Sequence, residues 1–199
     1  MSTEVSSDII STDTASDVVA MPTHDPAQTA RLQELCKNTN INSETLLATD
    51  YLNHYNEIIM MLDMLSSMPD MFEEITAWKP KSYIQHFEES GFHDKMLAIE
   101  AYVHVPPPIF KEFTKTIEEL DEAVEIVIDA VGGAIDADMP DMLNEICKAQ
   151  SQELMMYIDR LSAIINGTGH DLDDDQLDGT EDQVDSVEYT QATAEALFA

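Results

Sequence analysis

A chain of 199 residues with 44% hydrophobic content is long enough to bury one core, or at most to form a small pair of domains. Forty acidic side chains against nine basic ones give a formal net charge of −31, which repels nucleic-acid phosphates and anionic lipid and disfavours both as direct partners. The same field attracts cations and basic proteins, and all nine Lys and Arg lie between Arg31 and Arg160, leaving two acidic ends without a base.

Residues 1–23 are rich in Ser, Thr and Asp, have little periodicity and read as disordered. They hold no basic n-region of a signal peptide, and no apolar run in the chain is long enough to span a bilayer. Cys36 and Cys147 lie far apart in sequence and fit apolar helix faces, so both are expected as reduced, buried thiols in a cytoplasmic protein.

Asp25-Pro26 reads as a helix start, with Asp as N-cap and Pro in the first turn. That helix carries Leu32, Leu35 and Cys36 and fades at Asn38-Thr39-Asn40. A longer helix is predicted over 43–66. Its stripe, Leu47, Tyr51, His54, Ile58, Met61 and Leu65, alternates spacings of four and three, as on one face of a bundle helix. Ser67, before Pro69 and Asp70, is predicted to cap a new helix.

Residues 70–104 break into shorter helical pieces. Their apolar faces are Met71, Phe72, Ile75 and Trp78, then Tyr83, Ile84 and Phe87, then Met96, Leu97, Ile99 and Tyr102. After Pro106-Pro107-Pro108 come the two strongest patterns. Phe110, Phe113, Ile117, Leu120, Val124, Val127 and Val131 predict a helix over 108–131, with Gly132-Gly133 as its stop. Leu143, Ile146, Gln150, Leu154, Tyr157, Leu161 and Ile164 predict a second over 139–166, ended by Gly167 and Gly169. A short connection between them makes an antiparallel hairpin. The fold class is all-α: a helical bundle of about four main helices plus short pieces over residues 24–167, with acidic, disordered segments on either side. The tail, 168–199, is an acidic leash that ends in a short amphipathic segment.

Several residue groups carry candidate chemistry. Asp50, His54 and Glu57 fall at i, i+4 and i+7 on one side of the predicted long helix, and carboxylate and imidazole both ligate divalent metals. Di-iron bundles need Glu-x-x-His on two helices, whereas here a single His-x-x-Glu occurs, so the competing reading is a core histidine with a hydrogen-bonded neighbour. No phospho-acceptor box surrounds His54. Residues 174–185 have the length of a calcium loop, with Gln176 and Asp185 departing from its pattern. Gln150 interrupts an apolar stripe and is a candidate for positioning a water in phosphoryl transfer; a structural hydrogen bond is the alternative. No nucleophile triad, P-loop or dinucleotide loop is present.

Ala194, Leu197 and Phe198 at the end of the acidic leash suit docking into a partner's groove. A bundle, an acidic leash and a terminal apolar peptide together form an arrangement similar to that of the chemotaxis response-regulator phosphatase. That family's Asp-x-x-x-Gln stretch is replaced here by Glu145-Ile146-Cys147-Lys148-Ala149-Gln150. The leading expectation is therefore a non-enzymatic regulatory protein that binds a protein partner through its bundle and tail. The resemblance implies a response regulator as that partner and a phosphatase-like signalling protein as the alternative; a metal-binding bundle is the third reading. Twelve Met residues suit an ordinary packed core, and those on stripes could also give one adaptable face to a partner or to a second copy of the chain.

Overall fold

The computed structural model describes residues 25–168. Apart from Thr168, the segments read as disordered, the 174–185 loop and the docking residues Ala194, Leu197 and Phe198 lie outside the described residues. Within them the protein is all-α, with seven α-helices and two 3-10 turns. In order these are α1 (Pro26–Cys36), a 3-10 turn (Thr49–Leu52), α2 (Asn53–Leu65), a second 3-10 turn (Pro69–Met71), α3 (Phe72–Ala77), α4 (Tyr83–Glu89), α5 (Lys95–Tyr102), α6 (Pro107–Asp136) and α7 (Pro140–Ile165).

The hairpin of α6 and α7 is the frame. Phe113, Leu120, Val124, Val127 and Val131 of α6 are buried, as their spacing predicts, against Leu143, Leu154, Leu161 and Ile164 of α7 and the rest of the core. Each such side chain contributes about 1.5–3 kcal/mol on full burial. Helix α2 lies antiparallel to α7. The Thr45 hydroxyl, just before α2, donates to the Ile165 carbonyl at the far end of α7 (2.6 Å), while Asp63 and Ser66 at the end of α2 sit beside Asn144 and Lys148 near the start of α7.

The Asp25 carboxylate caps α1 by accepting from the Ala27 N–H (3.0 Å), as expected. The start of the long helix is corrected: a 3-10 turn from Thr49 leads into α2 at Asn53, and no helix begins at 43. The Asn42 side chain accepts from the Glu44 and Thr45 N–H groups (2.8 and 3.0 Å), and its backbone exchanges bonds with Leu46 and Leu47. An Asn that offers its side chain to the backbone two and three residues on competes with helix formation. Leu46 closes this loop in the left-handed region (φ 62°), with Leu46 and Leu47 both fully buried. Ser67 is corrected too. Its hydroxyl donates back to the Met64 carbonyl (3.0 Å) and closes α2, and Met68 takes the position before the next turn.

Gly132-Gly133 does not stop α6, which runs on to Asp136. Helix geometry carries through because Gly132 faces the Phe72 ring of α3, where a Cβ would stand 3.1 Å from Phe72 Cζ, and Val131 and Ala134 are buried on the same turn. The stop is Asp138, at φ 53°. The Met139 N–H bonds to the Ala134 carbonyl (3.0 Å) and the Asp138 N–H to the Ile135 carbonyl (3.0 Å), the paired bonds of a left-handed helix end. Gly167 closes α7 in the same way, as expected, with Thr168 N–H on the Ala163 carbonyl (2.9 Å).

Two substitutions test this account by urea unfolding. Asp138→Gly removes a side chain from the left-handed region and is expected to stabilise the protein by about 1 kcal/mol. Gly132→Val drives a branched side chain into Phe72 and is expected to cost about 1–3 kcal/mol. A neutral Gly132→Val would show that the α3–α6 contact is loose.

Candidate functional site

Two places concentrate polar and reactive side chains: an aromatic junction beside α2, and a cleft between α2 and α7.

The junction forms because Tyr51, His54 and Tyr55 lie on the inward side of α2 and the 3-10 turn before it, facing the connection between α3 and α4. The His54 ring stacks on Trp78, with centroids 4.7 Å apart at 18°. His54 Nε2 donates to the Lys79 carbonyl (2.8 Å), and Trp78 Nε1 donates to the His54 carbonyl (3.3 Å). A carbonyl only accepts, so Nε2 carries the proton. Tyr51 donates to the Lys81 carbonyl (2.8 Å), Tyr55 donates to Asp121 (2.8 Å), and the Tyr83 hydroxyl accepts from the Ala48 N–H (2.9 Å).

These environments move the titrations. Burial lowers the His54 pKa, opposed by the Lys79 bond; burial likewise lowers that of His86, opposed by Asp50. Burial raises Tyr51, Tyr55 and Tyr83, and lifts Tyr102 to about 12. Asp121 is raised, chiefly by burial and then by Glu125 and Glu118, against the Tyr55 hydrogen bond. None of these tyrosines is a phenolate near neutral pH.

The predicted metal trio is parted. His54 has committed Nε2 to Lys79, and Glu57 stands on the exposed side with its carboxylate 4.0 Å from Nδ1. Asp50 turns instead toward His86 (3.7 Å) and accepts from Asn53. The i, i+4, i+7 spacing fails because Asp50 belongs to the 3-10 turn, whose three-residue period rotates it off the face of α2. Among the described residues no three His, Cys, Asp or Glu side chains gather to hold a metal ion.

The cleft between α2 and α7 encloses about 570 Å³. Ile59, Cys147, Ser151 and Met155 form its apolar and small-residue surface; Asp63, Ser66, Asn144, Lys148 and Gln152 supply the polar groups. Burial raises the Cys147 thiol, with Asp63 adding to it, so it is not a reactive thiolate. The Ser151 residue is 5% exposed, and its hydroxyl has no hydrogen-bond partner.

The register of α7 differs from the expected stripe by about one residue. Leu143, Cys147, Ser151, Leu154, Ile158 and Leu161 are buried, whereas Ile146, Gln150 and Tyr157 are half-buried. Packing on two neighbours, α6 and α2, centres the buried arc between them. Gln150 shares its side with Ile146 and Tyr157 and does not line the cleft; Gln152 does. Cys147 and Ser151, small residues one turn apart, are the sequence signal for the close approach of α2.

Methionines depart most from expectation. Of nine large apolar side chains that are exposed among the described residues, seven are Met: Met60, Met68, Met96, Met139, Met142, Met155 and Met156. Among the described residues only Met61 is a buried methionine, at 8% exposure. Met96, expected on a packed face of α5, is 71% exposed, because Ala98 and Ala101 form that face.

No protein-family model, curated protein or solved structure matches this chain. No helix of the described residues is long and apolar enough to cross a membrane.

The two histidines set a pH dependence. Their folded pKa values lie below the unfolded value of about 6.5, so the unfolded chain takes up protons first as pH falls. The stability they allow is complete above that value and declines below it. His54→Gln keeps a donor for Lys79 without a titration, so its Tm is expected to drop less between about pH 7.5 and about pH 5.5 than that of the native protein. Parallel pH profiles would remove His54 as a contributor.

Proposed function

We propose that this chain is a non-enzymatic, partner-binding helical bundle that presents methionines to another protein. The observation that supports it is the inversion of methionine placement: among the described residues seven are exposed, against one that is buried. Burial is favourable for a thioether side chain, so leaving seven in water is a cost that a partner removes. Methionine is flexible and polarizable, which suits a surface that adapts to the shape it meets. Met139 and Met142 at the start of α7, with Met155 and Met156 about four turns on, make that helix the principal contact element. In this reading the segment holding Ala194, Leu197 and Phe198 is a second docking element, and a signalling protein such as a response regulator is a partner of the fitting kind. The two free, buried thiols support a cytoplasmic setting, where they stay reduced.

A pull-down with the full-length protein at moderate salt tests this against two full-length variants, Met142→Ser with Met156→Ser, and Leu197→Asp with Phe198→Asp. A partner retained by the native chain is expected to be lost, or reduced about tenfold, in the α7 variant. Loss in the terminal variant assigns the tail a share. Equal recovery of every protein by the native chain and the α7 variant would sink the methionine-face reading.

A further inference from the structure

We infer that the α2–α7 cleft receives a cationic amphipathic helix of a partner protein, seating apolar side chains on Ile59 and Met155 while its Lys and Arg side chains lie in the acidic field around the cleft. The inference rests on the partner-binding function proposed above and names the chemistry of the partner. At about 570 Å³ the cleft has the size of a binding pocket, and it is a trough between two antiparallel helices, the shape into which an amphipathic helix lays its apolar face. Met155 lines it, and Met60 and Met156 stand exposed on the same two helices, ready to cover the flanks of an incoming chain.

The Ser151 hydroxyl is an independent pointer to a ligand. It is buried, lines the cleft and has no partner within the protein. A buried polar atom without a partner is uncommon in native structures, and a side-chain amide or amine on an incoming chain satisfies this one once α2 and α7 part enough to admit it.

Charge decides among occupants. A second copy of this chain brings another −31 and is repelled. The chain's own residues 169–199 carry ten acidic side chains and no basic one, so they are repelled as well. Within the cleft Asp63 on one wall offsets Lys148 on the other, leaving the trough neutral. The wider field then selects, and it selects a cationic partner whose approach it also accelerates.

The test uses the full-length protein and a fluorescein-labelled Leu/Lys peptide of about 18 residues, with leucines at helical spacing. Two control peptides are a scrambled sequence of the same composition and one with Glu in place of Lys. Fluorescence anisotropy is expected to show the amphipathic cationic peptide binding at least about tenfold more tightly than either control, and more weakly as salt rises. Gln152→Trp, which fills the cleft from its exposed rim, and Met155→Ser are each expected to weaken binding about tenfold, while Met96→Ser on α5 leaves it unchanged. Far-UV circular dichroism checks that each variant is folded. Equal binding of the scrambled peptide, or binding untouched by both cleft variants, overturns the inference. If native partners still depend on Met142 and Met156 while the peptide ignores the cleft, the occupant is wrong and the binding function stands.

Discussion

The clasp between α2 and the connection of α3 to α4 holds the short helices in place. Helices α3, α4 and α5 have six, seven and eight residues, well below the length at which a helix is stable alone in water. They persist because Trp78, Tyr83 and Phe87 insert into a centre already occupied by Tyr51, His54 and Tyr55. Each ring brings a large apolar area, and most bring a polar tip that must be matched. Lys79 and Lys81 carbonyls, the Ala48 N–H and Asp121 supply the matches. The arrangement fixes residues 78–83 against α2 without any regular backbone pairing between them.

The same clasp accounts for the fate of the histidines. A His near acids suggests a metal or a proton relay, and Asp50, Glu57 and His86 are all close to His54 in space or sequence. Stacking on Trp78 and bonding to Lys79 instead use the imidazole as a structural ring, with burial holding it neutral. The reactive-looking groups are thereby consumed by architecture, and the surface is left to methionine and charge. Core positions went to Leu, Ile, Val, Tyr and Phe, whose shapes define a single packing; the adaptable residue is outside.

Much of the fold was legible before any coordinate. The three-four alternation of Phe113, Leu120, Val124, Val127 and Val131, and the Asp25-Pro26 start, translate directly into buried faces and a capped helix. Errors arose where side chain and backbone compete locally. The residues after Asn42 looked helical and made a loop; Gly132 looked like a stop and made room for Phe72; Asp138, which a glycine rule passes over, ended the helix. Each depends on what lies opposite, which spacing along one chain does not contain.

Periodicity and charge, both properties of the chain alone, therefore settled the all-α class, the hairpin of the last two helices and the acidic character of the protein. Tertiary structure alone decided that Cys147 and Ser151 rather than Ile146 and Gln150 lie beneath α2, that Asp50 parts from His54, and that methionines face water. A stripe on a helix spans more than one residue's arc, and only the neighbour that packs against it selects the centre.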